Sequence, residues 1–486
     1  MEEKLLIGFS EKWIVPEDRP VCLAGQFHTR ISEYIETPCM TNVMAVETSK
    51  DQTIICSCDL VGVSNHLVIS VKEKVAAKNP EIDVNKIIIS ATHTHTGPLY
   101  TAPGQPATRP SGMSYPNANT IMPEGKKFVN QTVLPENILT GNECLEFIAE
   151  RISDAVCEAW ANRKHSFCAP GFGRASIGYC RRIYRGTDGG VARLGFAKER
   201  EQVFREIEGG SDTGIEMLLI YDNMHKPIGV VASVACPSQI VEFKNHVSSD
   251  YWGKARNFLK EYFGEDFHII GLCSAAGDQS PRDQLRWLRG VEPSMADIEG
   301  TIFIGKRLAN AIIETFENSK AAPSDKFELC HKKEVFHLPI NKLTKEEYDK
   351  AKETLYKYVE EENKDIFGFT DMVRIHPEVG KVFLYEWQKT VETLPAEVHI
   401  VRFGNMAIAT NPFELFLDYG NQIKVRSNAK QTMLIQLACD TMGYLPTAKA
   451  EPAGGYGTSI VSCPIGSAGG AELVEKTLES INAMFE

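Results

Sequence analysis

Two histidines, His93 and His95, stand two residues apart in "SATHTHTGP", directly after the apolar run Ile87, Ile88 and Ile89. On a strand, residues i and i+2 share a face, so both imidazoles can enter one cavity. Neutral imidazole is the commonest nitrogen ligand of zinc, and a metal is the simplest chemistry for such a pair. A hydrogen-bonded pair of core histidines is the plain alternative. The Gly-Pro turn that follows places the pair at a strand end, where α/β sheets usually carry their chemistry.

Four more segments hold reactive side chains. In "ATNPFELF", Asn411 and Pro412 read as a helix start with Glu414 at its third position, which makes a capping-box-like pair. Apolar neighbours bury that start, and a buried carboxylate needs a partner that a cation can supply. In "SAAGDQSPRD", Asp278 and Ser280 lie at a tight turn after an apolar run. No G-x-S-x-G surrounds Ser280, which argues against a serine hydrolase. "VACPSQ" ends a hairpin strand with Cys236, either an inert buried thiol or a metal ligand, and His246 and Asp250 follow it. "GYLPTAKAEPAGGYG" carries Tyr444 and Tyr456 in a loop punctuated by Pro and Gly.

The elements that must position these groups alternate. "NVMAVETS" and "QTIICSCDLVGV" read as paired strands, "NHLVISVKEKVAAKNP" as a helix, and "KIIISATHTHTGP" as the next strand. "IEMLLIYDNMHKPIGVVASVAC" and "EVHIVRFGNMAIATNPFELF" read as hairpins turning near Asn223 and Gly404. This order predicts an α/β fold with a mixed sheet and flanking helices. Residues 101–142 form a long Pro/Gly/Ser-rich loop, either a linker or a wall beside the site, and residues 320–395 a charged helical insertion. No internal repeat is visible.

The 486 residues carry a net charge of −12, which disfavours a nucleic-acid or anionic-membrane surface. No apolar run of about 18 residues is present, so no spanning helix is expected. The thirteen cysteines are scattered, with no CxxC pair, as in a reduced cytoplasmic protein.

The motifs together resemble the neutral ceramidases, zinc-dependent amidases that cleave N-acyl sphingosine. "SATHTHTGP" is similar to their "THTHSGP", "GQFHTRISEYI" to "GLHTRLFSRAF", and "GDQSP" to "GDVSP". "NPFELF" is similar to a "GPAEFT"-like helix start, and "GYLPT" with Tyr456 to "HYITT" with a tyrosine twelve positions later. The matches keep their order from residue 5 to about residue 480.

The resemblance implies one ceramidase-like catalytic domain over residues 1–486, without the family's C-terminal immunoglobulin-like domain. It implies that His93, Glu414 and Tyr444 are ligands of Zn2+, with His95 facing the substrate. Arg181 in "GYCRRIYR" corresponds to an arginine that holds substrate, Tyr456 to an oxyanion-stabilising tyrosine, and Ser280 to a serine of the GDxSP loop. Asp278 and His95 are the candidates for moving a proton to the leaving group. Where the family has a second histidine ligand this chain has Cys236; a thiolate binds in its place, or His246 reaches in. The implied activity is amide hydrolysis of a small-molecule substrate. The polar 101–142 loop is unlike a lipid-receiving groove, so ceramide itself is not expected. The alternatives are an ester, lactone or sugar-derived substrate on the same fold, and a non-catalytic metal- or ligand-binding protein.

Overall fold

The computed structural model describes residues 4–101, 121–129, 134–185, 192–194, 204–286, 290–291 and 293–486. Its principal elements are three copies of one unit, each made of three antiparallel strands, a helix, a fourth strand parallel to the third, and a second helix. The first unit is β1 (Leu6–Trp13), β2 (Met40–Glu47), β3 (Gln52–Cys58), α1 (Asn65–Lys78), β4 (Ile87–Ala91) and α2 (Gly141–Ala161). The second is β5 (Phe167–Arg174), β6 (Gly214–Tyr221), β7 (Pro227–Val234), α3 (Asp250–Phe263), β8 (His268–Cys273) and α4 (Ile298–Asn318). The third is β9 (Leu329–Pro339), β10 (Thr393–Phe403), β11 (Met406–Thr410), α7 (Leu417–Arg426), β12 (Gln431–Ile435) and α8 (Gly466–Asn482). The α/β architecture with mixed sheets and flanking helices is therefore as the sequence predicts. The threefold repeat is not visible there, because the units share a pattern of pairing and burial and not residues.

Alternation along the strands explains how the units assemble. On β2, Met44 and Val46 face a central core, while Val43 and Ala45 face the helices outside. All three sheets contribute to that central core, with Ile55 and Ile88 from the first, Ile220 and Val231 from the second, and Val401 and Ile408 from the third. The outer face of each sheet is covered by its own helix pair, α1 with α2, α3 with α4, and α7 with α8. Strands clothed on both faces read as nearly continuous apolar runs, as β4, β7 and β11 do, whereas β9 carries exposed charges. Between the sheets, Ser57 on β3 donates to the Gly271 carbonyl on β8, and Ser233 on β7 to the Leu434 carbonyl on β12. The ends of the third and fourth strands of the three units thus meet at one end of the assembly.

The charged insertion lies in the first hairpin of the third unit, between β9 and β10, as α5 (Lys345–Glu362) and α6 (Phe369–Trp387). Its expected range also takes in β9, an 11-residue strand. Met122 and Phe128 pack against Leu355, Val359 and Phe367 of the insertion, and Lys127–Phe128 pairs in parallel with Ile366–Phe367. The middle of the long loop is thereby attached to the insertion; residues 102–120 and 130–133 of that loop lie outside the described residues.

A buried ion pair ties the first unit to the second at the functional end. Arg256 of α3 donates two N–H groups to Asp59, just beyond β3, at 2.7 and 2.8 Å. Asp59 also accepts from the Met40 amide and the Thr92 hydroxyl. Arg256→Met should leave this carboxylate buried without its counter-charge, costing about 3–5 kcal/mol. Urea denaturation should show the loss, and an unchanged midpoint would refute the role given to the pair.

Candidate active site

The loop after β4 is shaped by its neighbours across the sheet. The Thr92 amide donates to the Cys58 carbonyl and the Thr94 amide to the Leu60 carbonyl. His93 between them adopts φ of 63°, a left-handed conformation that costs a non-glycine residue about 1–2 kcal/mol. The two imidazoles converge through this reversal, and not through the strand pleat that their spacing predicts. Their rings meet edge to face, with Nε2 of one 3.4 Å from Nε2 of the other.

Backbone carbonyls fix the tautomers. His93 Nδ1 bonds to the Val61 carbonyl, and His95 Nδ1 to the Gly25 carbonyl at 3.0 Å. A carbonyl can only accept, so each Nδ1 carries a proton and each Nε2 of a neutral ring presents a lone pair. Glu414 Oε2 lies 3.3 Å from His93 Nε2. His93 Nε2 therefore stands between two other acceptors, His95 Nε2 at 3.4 Å and Glu414 Oε2 at 3.3 Å, and something positive must join them. Without a metal it is a proton. Burial opposes charge on His93, but the Glu414 carboxylate and the Val61 carbonyl outweigh it and raise its pKa above the usual imidazole value. Burial likewise raises Glu414, yet His93, Tyr444 and Arg181 hold its pKa below the usual range. His95 is neutral, its pKa pushed well down by burial and then by His93 and Arg30.

Glu414 does not start a helix. The Asn411 side-chain oxygen accepts from the Phe413 amide, and the Glu414 amide donates to the Gly443 carbonyl. Glu414–Leu415 then pairs in parallel with Tyr444–Leu445, and α7 begins only at Leu417. Cross-chain pairing wins over the expected cap and brings the Tyr444 hydroxyl to the Glu414 carboxylate.

Arg181 supplies the positive wall. Its guanidinium lies 5.5 Å from the ring centres of both Tyr444 and Tyr456, and it donates to the Gly277 carbonyl at 2.7 Å. Its Nε is buried with no hydrogen-bond partner. The Tyr456 ring meets Tyr444 at 5.3 Å and Phe27 at 6.1 Å, and its side chain is partly exposed. Asp278 accepts the Arg181 amide on its carbonyl and the Leu417 amide on its carboxylate, at the start of α7; burial raises its pKa. Ser280 is buried in a short pairing with Tyr179, and its hydroxyl accepts from the Arg282 amide.

Cys236 and His246 are placed apart from these groups. The Cys236 thiol faces the Ile177 and Pro237 carbonyls and packs in the core of the second unit; burial, then Cys273 and Asp250, push its pKa well up. His246 packs against the Tyr34 ring at a tilt of 44° and faces Glu36, Lys244 and Asp297.

Several residues of the quoted motifs have supporting roles that the sequence does not reveal. Gly25 has φ of 93°, and a side chain there would meet His95 Cα at 2.6 Å. Arg30 donates to the His95 carbonyl at 2.6 Å and to the Lys244 carbonyl at 2.7 Å. The "GQFHTR" segment thus supports the His95 loop. Gly277 is required because a Cβ would stand 2.3 Å from the Glu414 carbonyl oxygen. Among the described residues, the one set of three His, Cys or acidic side chains with mutually close ligand atoms is Glu397, His399 and Cys439, outside this centre. Its only sequence signal is the i, i+2 pair in "EVHI".

The donor set fits a divalent transition ion at His93, Glu414 and Tyr444. A metal-binding histidine normally donates its second nitrogen to a carbonyl or carboxylate, as His93 does. Ligand atoms around a tetrahedral zinc stand about 3.3 Å apart, the spacing of His93 Nε2 and Glu414 Oε2.

No family model and no curated protein matches the chain. Two solved structures share its fold. The neutral ceramidase from Pseudomonas aeruginosa aligns with a TM-score of 0.68 at 16% identity, over 100% of this chain and 75% of that one. A ceramidase complexed with C2 aligns with a TM-score of 0.67 at 14% identity, over 100% of this chain and 76% of that one.

Proposed function

We propose that this chain is a zinc-dependent hydrolase that cleaves an amide (N-acyl) bond. The observation that carries the reading is the confrontation of His93 Nε2 with the Glu414 carboxylate at 3.3 Å, beside Tyr444 and a buried arginine. The ceramidase structures of like fold and the ordered motifs support the same bond class. His93, Glu414 and Tyr444 would hold the ion. Cys236 is proposed as a fourth ligand, which requires its thiol to turn away from the Ile177 and Pro237 carbonyls. When bound, such an ion lowers the pKa of water and polarises a carbonyl oxygen.

The remaining residues bind and orient. Arg181 offers its unpartnered Nε–H, and Tyr456 its hydroxyl, to the carbonyl oxygen as negative charge develops there. Neutral His95 accepts a proton at Nε2 and returns it to the departing amine. Asp278 orients Arg181 and the start of α7, and Ser280 shapes the same turn. The substrate is a small N-acyl compound other than ceramide, and the compartment cytoplasmic.

Chelation by EDTA should abolish cleavage of an N-acyl amide panel, and zinc should restore it; full activity in metal-free protein would defeat this reading. Faster turnover of esters, lactones or glycosides than of amides would reassign the bond. His93→Ala and Glu414→Ala should each lose one equivalent of zinc along with activity, by elemental analysis. Tyr456→Phe should keep zinc and lose about 10²–10³ in kcat; a wild-type rate would remove Tyr456 from the chemistry. The turned thiol of Cys236 favours one second reading, a protein that binds without catalysis. Under it, the natural chain shows no turnover and Cys236→His gains both zinc and activity.

A further inference from the structure

Glu397 and His399 are two apart on β10, and their side chains lie on the face that further along carries Val401 and Phe403 into the central core. Cys439 approaches them from the segment after β12, where Leu437 and Cys439 both have positive φ, 51° and 61°. Neither residue is glycine, so the surroundings must hold this conformation against its cost. The Ala438 amide bonds to the Asn411 carbonyl and the Cys439 amide to the Ile89 carbonyl, which does so. His399 Nε2 then lies 3.0 Å from Glu397 Oε1 and 3.6 Å from Cys439 Sγ. His399 and Cys439 are buried, while Glu397 is partly open to solvent.

The other face of His399 fixes how this set can work. Its Nδ1 is 2.8 Å from Nε2 of His331, a buried residue on β9. One proton lies between these nitrogens. With it on His399 Nδ1, Nε2 carries a lone pair that faces a carboxylate oxygen and a thiol. Lys72 of α1 and Lys333 of β9 pair with Glu397, at 3.1 and 2.7 Å.

We propose that Glu397, His399 and Cys439 form a second metal site, of the zinc type and separate from the His93–Glu414 centre. Imidazole with thiolate selects Zn2+ and its transition-metal neighbours over Mg2+ and Ca2+. Tetrahedral zinc with bonds of about 2.0–2.3 Å needs ligand atoms about 3.3–3.6 Å apart, and the histidine is within a few tenths of that from both partners. Metal entry displaces Lys72 from Glu397 Oε1 and the thiol proton to solvent. The bound ion ties the segment 437–445, which carries Tyr444, to β10. The site is a structural one, and its occupancy does not depend on turnover.

Cobalt titration of the full chain tests this, because a thiolate bound to Co2+ gives a near-ultraviolet charge-transfer band. Cys439→Ser should lose one equivalent of bound Co2+ together with its share of that band, with unchanged circular dichroism. His93→Ala should keep both. Lys72→Met, which removes the competing ammonium, should tighten cobalt binding, and this decides the matter if Cys439→Ser fails to fold. Full stoichiometry and band in a folded Cys439→Ser, no band in the natural protein, loss of this equivalent in His93→Ala, or weaker binding in Lys72→Met would each overturn the proposal.

Discussion

The candidate site depends on where two imidazoles spend their Nδ1 protons. Val61 and Gly25 present backbone carbonyls that can only accept, so His93 and His95 must turn Nε2 lone pairs toward one another, and that of His93 also faces Glu414. Lone pairs and a carboxylate brought together out of water repel unless a positive charge joins them. When no metal is bound a proton on His93 meets that need, and the proposed ion would share the same donors. Stability and function therefore draw on one contact.

The fold exists around that end. Three sheets share an apolar core, and the ends of their third and fourth strands deliver loops to a common place. The first unit contributes the His93 loop, the second the Gly277–Asp278 turn, and the third Glu414 and Tyr444. The Asp59–Arg256 pair and the Arg30 clamp hold the first of these loops against the second unit. Gly277 lets the second loop lie against the backbone of Glu414 with no side chain between them. Each unit alone lacks a complete site, which is why the groups are scattered along the chain.

Much of this was legible in the sequence, for physical reasons that are clear. The hairpins near Asn223 and Gly404, the helix α1, and the strand before His93 follow from period and turn residues. The α/β class follows from their order. Other features depend on distant partners and leave no local trace. Asn411 and Pro412 imitate a helix start, but the parallel pairing of Glu414 with Tyr444 claims that backbone first. The spacing of His93 and His95 suggests a pleat, but a left-handed residue sets their geometry. The repeat is invisible because it is conserved in pairing and not in residues. Cys236 occupies the expected place in the chain, yet its thiol turns toward two carbonyls, a rotation that no sequence pattern records.

Anomalous diffraction at the zinc absorption edge, on crystals of the natural chain equilibrated with Zn2+, tests the central claim most directly. The account requires a peak bonded to His93 Nε2 and Glu414, with the Tyr444 oxygen turned to it. A zinc-soaked crystal with no peak there, and His93 still paired to Glu414 through a proton, would contradict it.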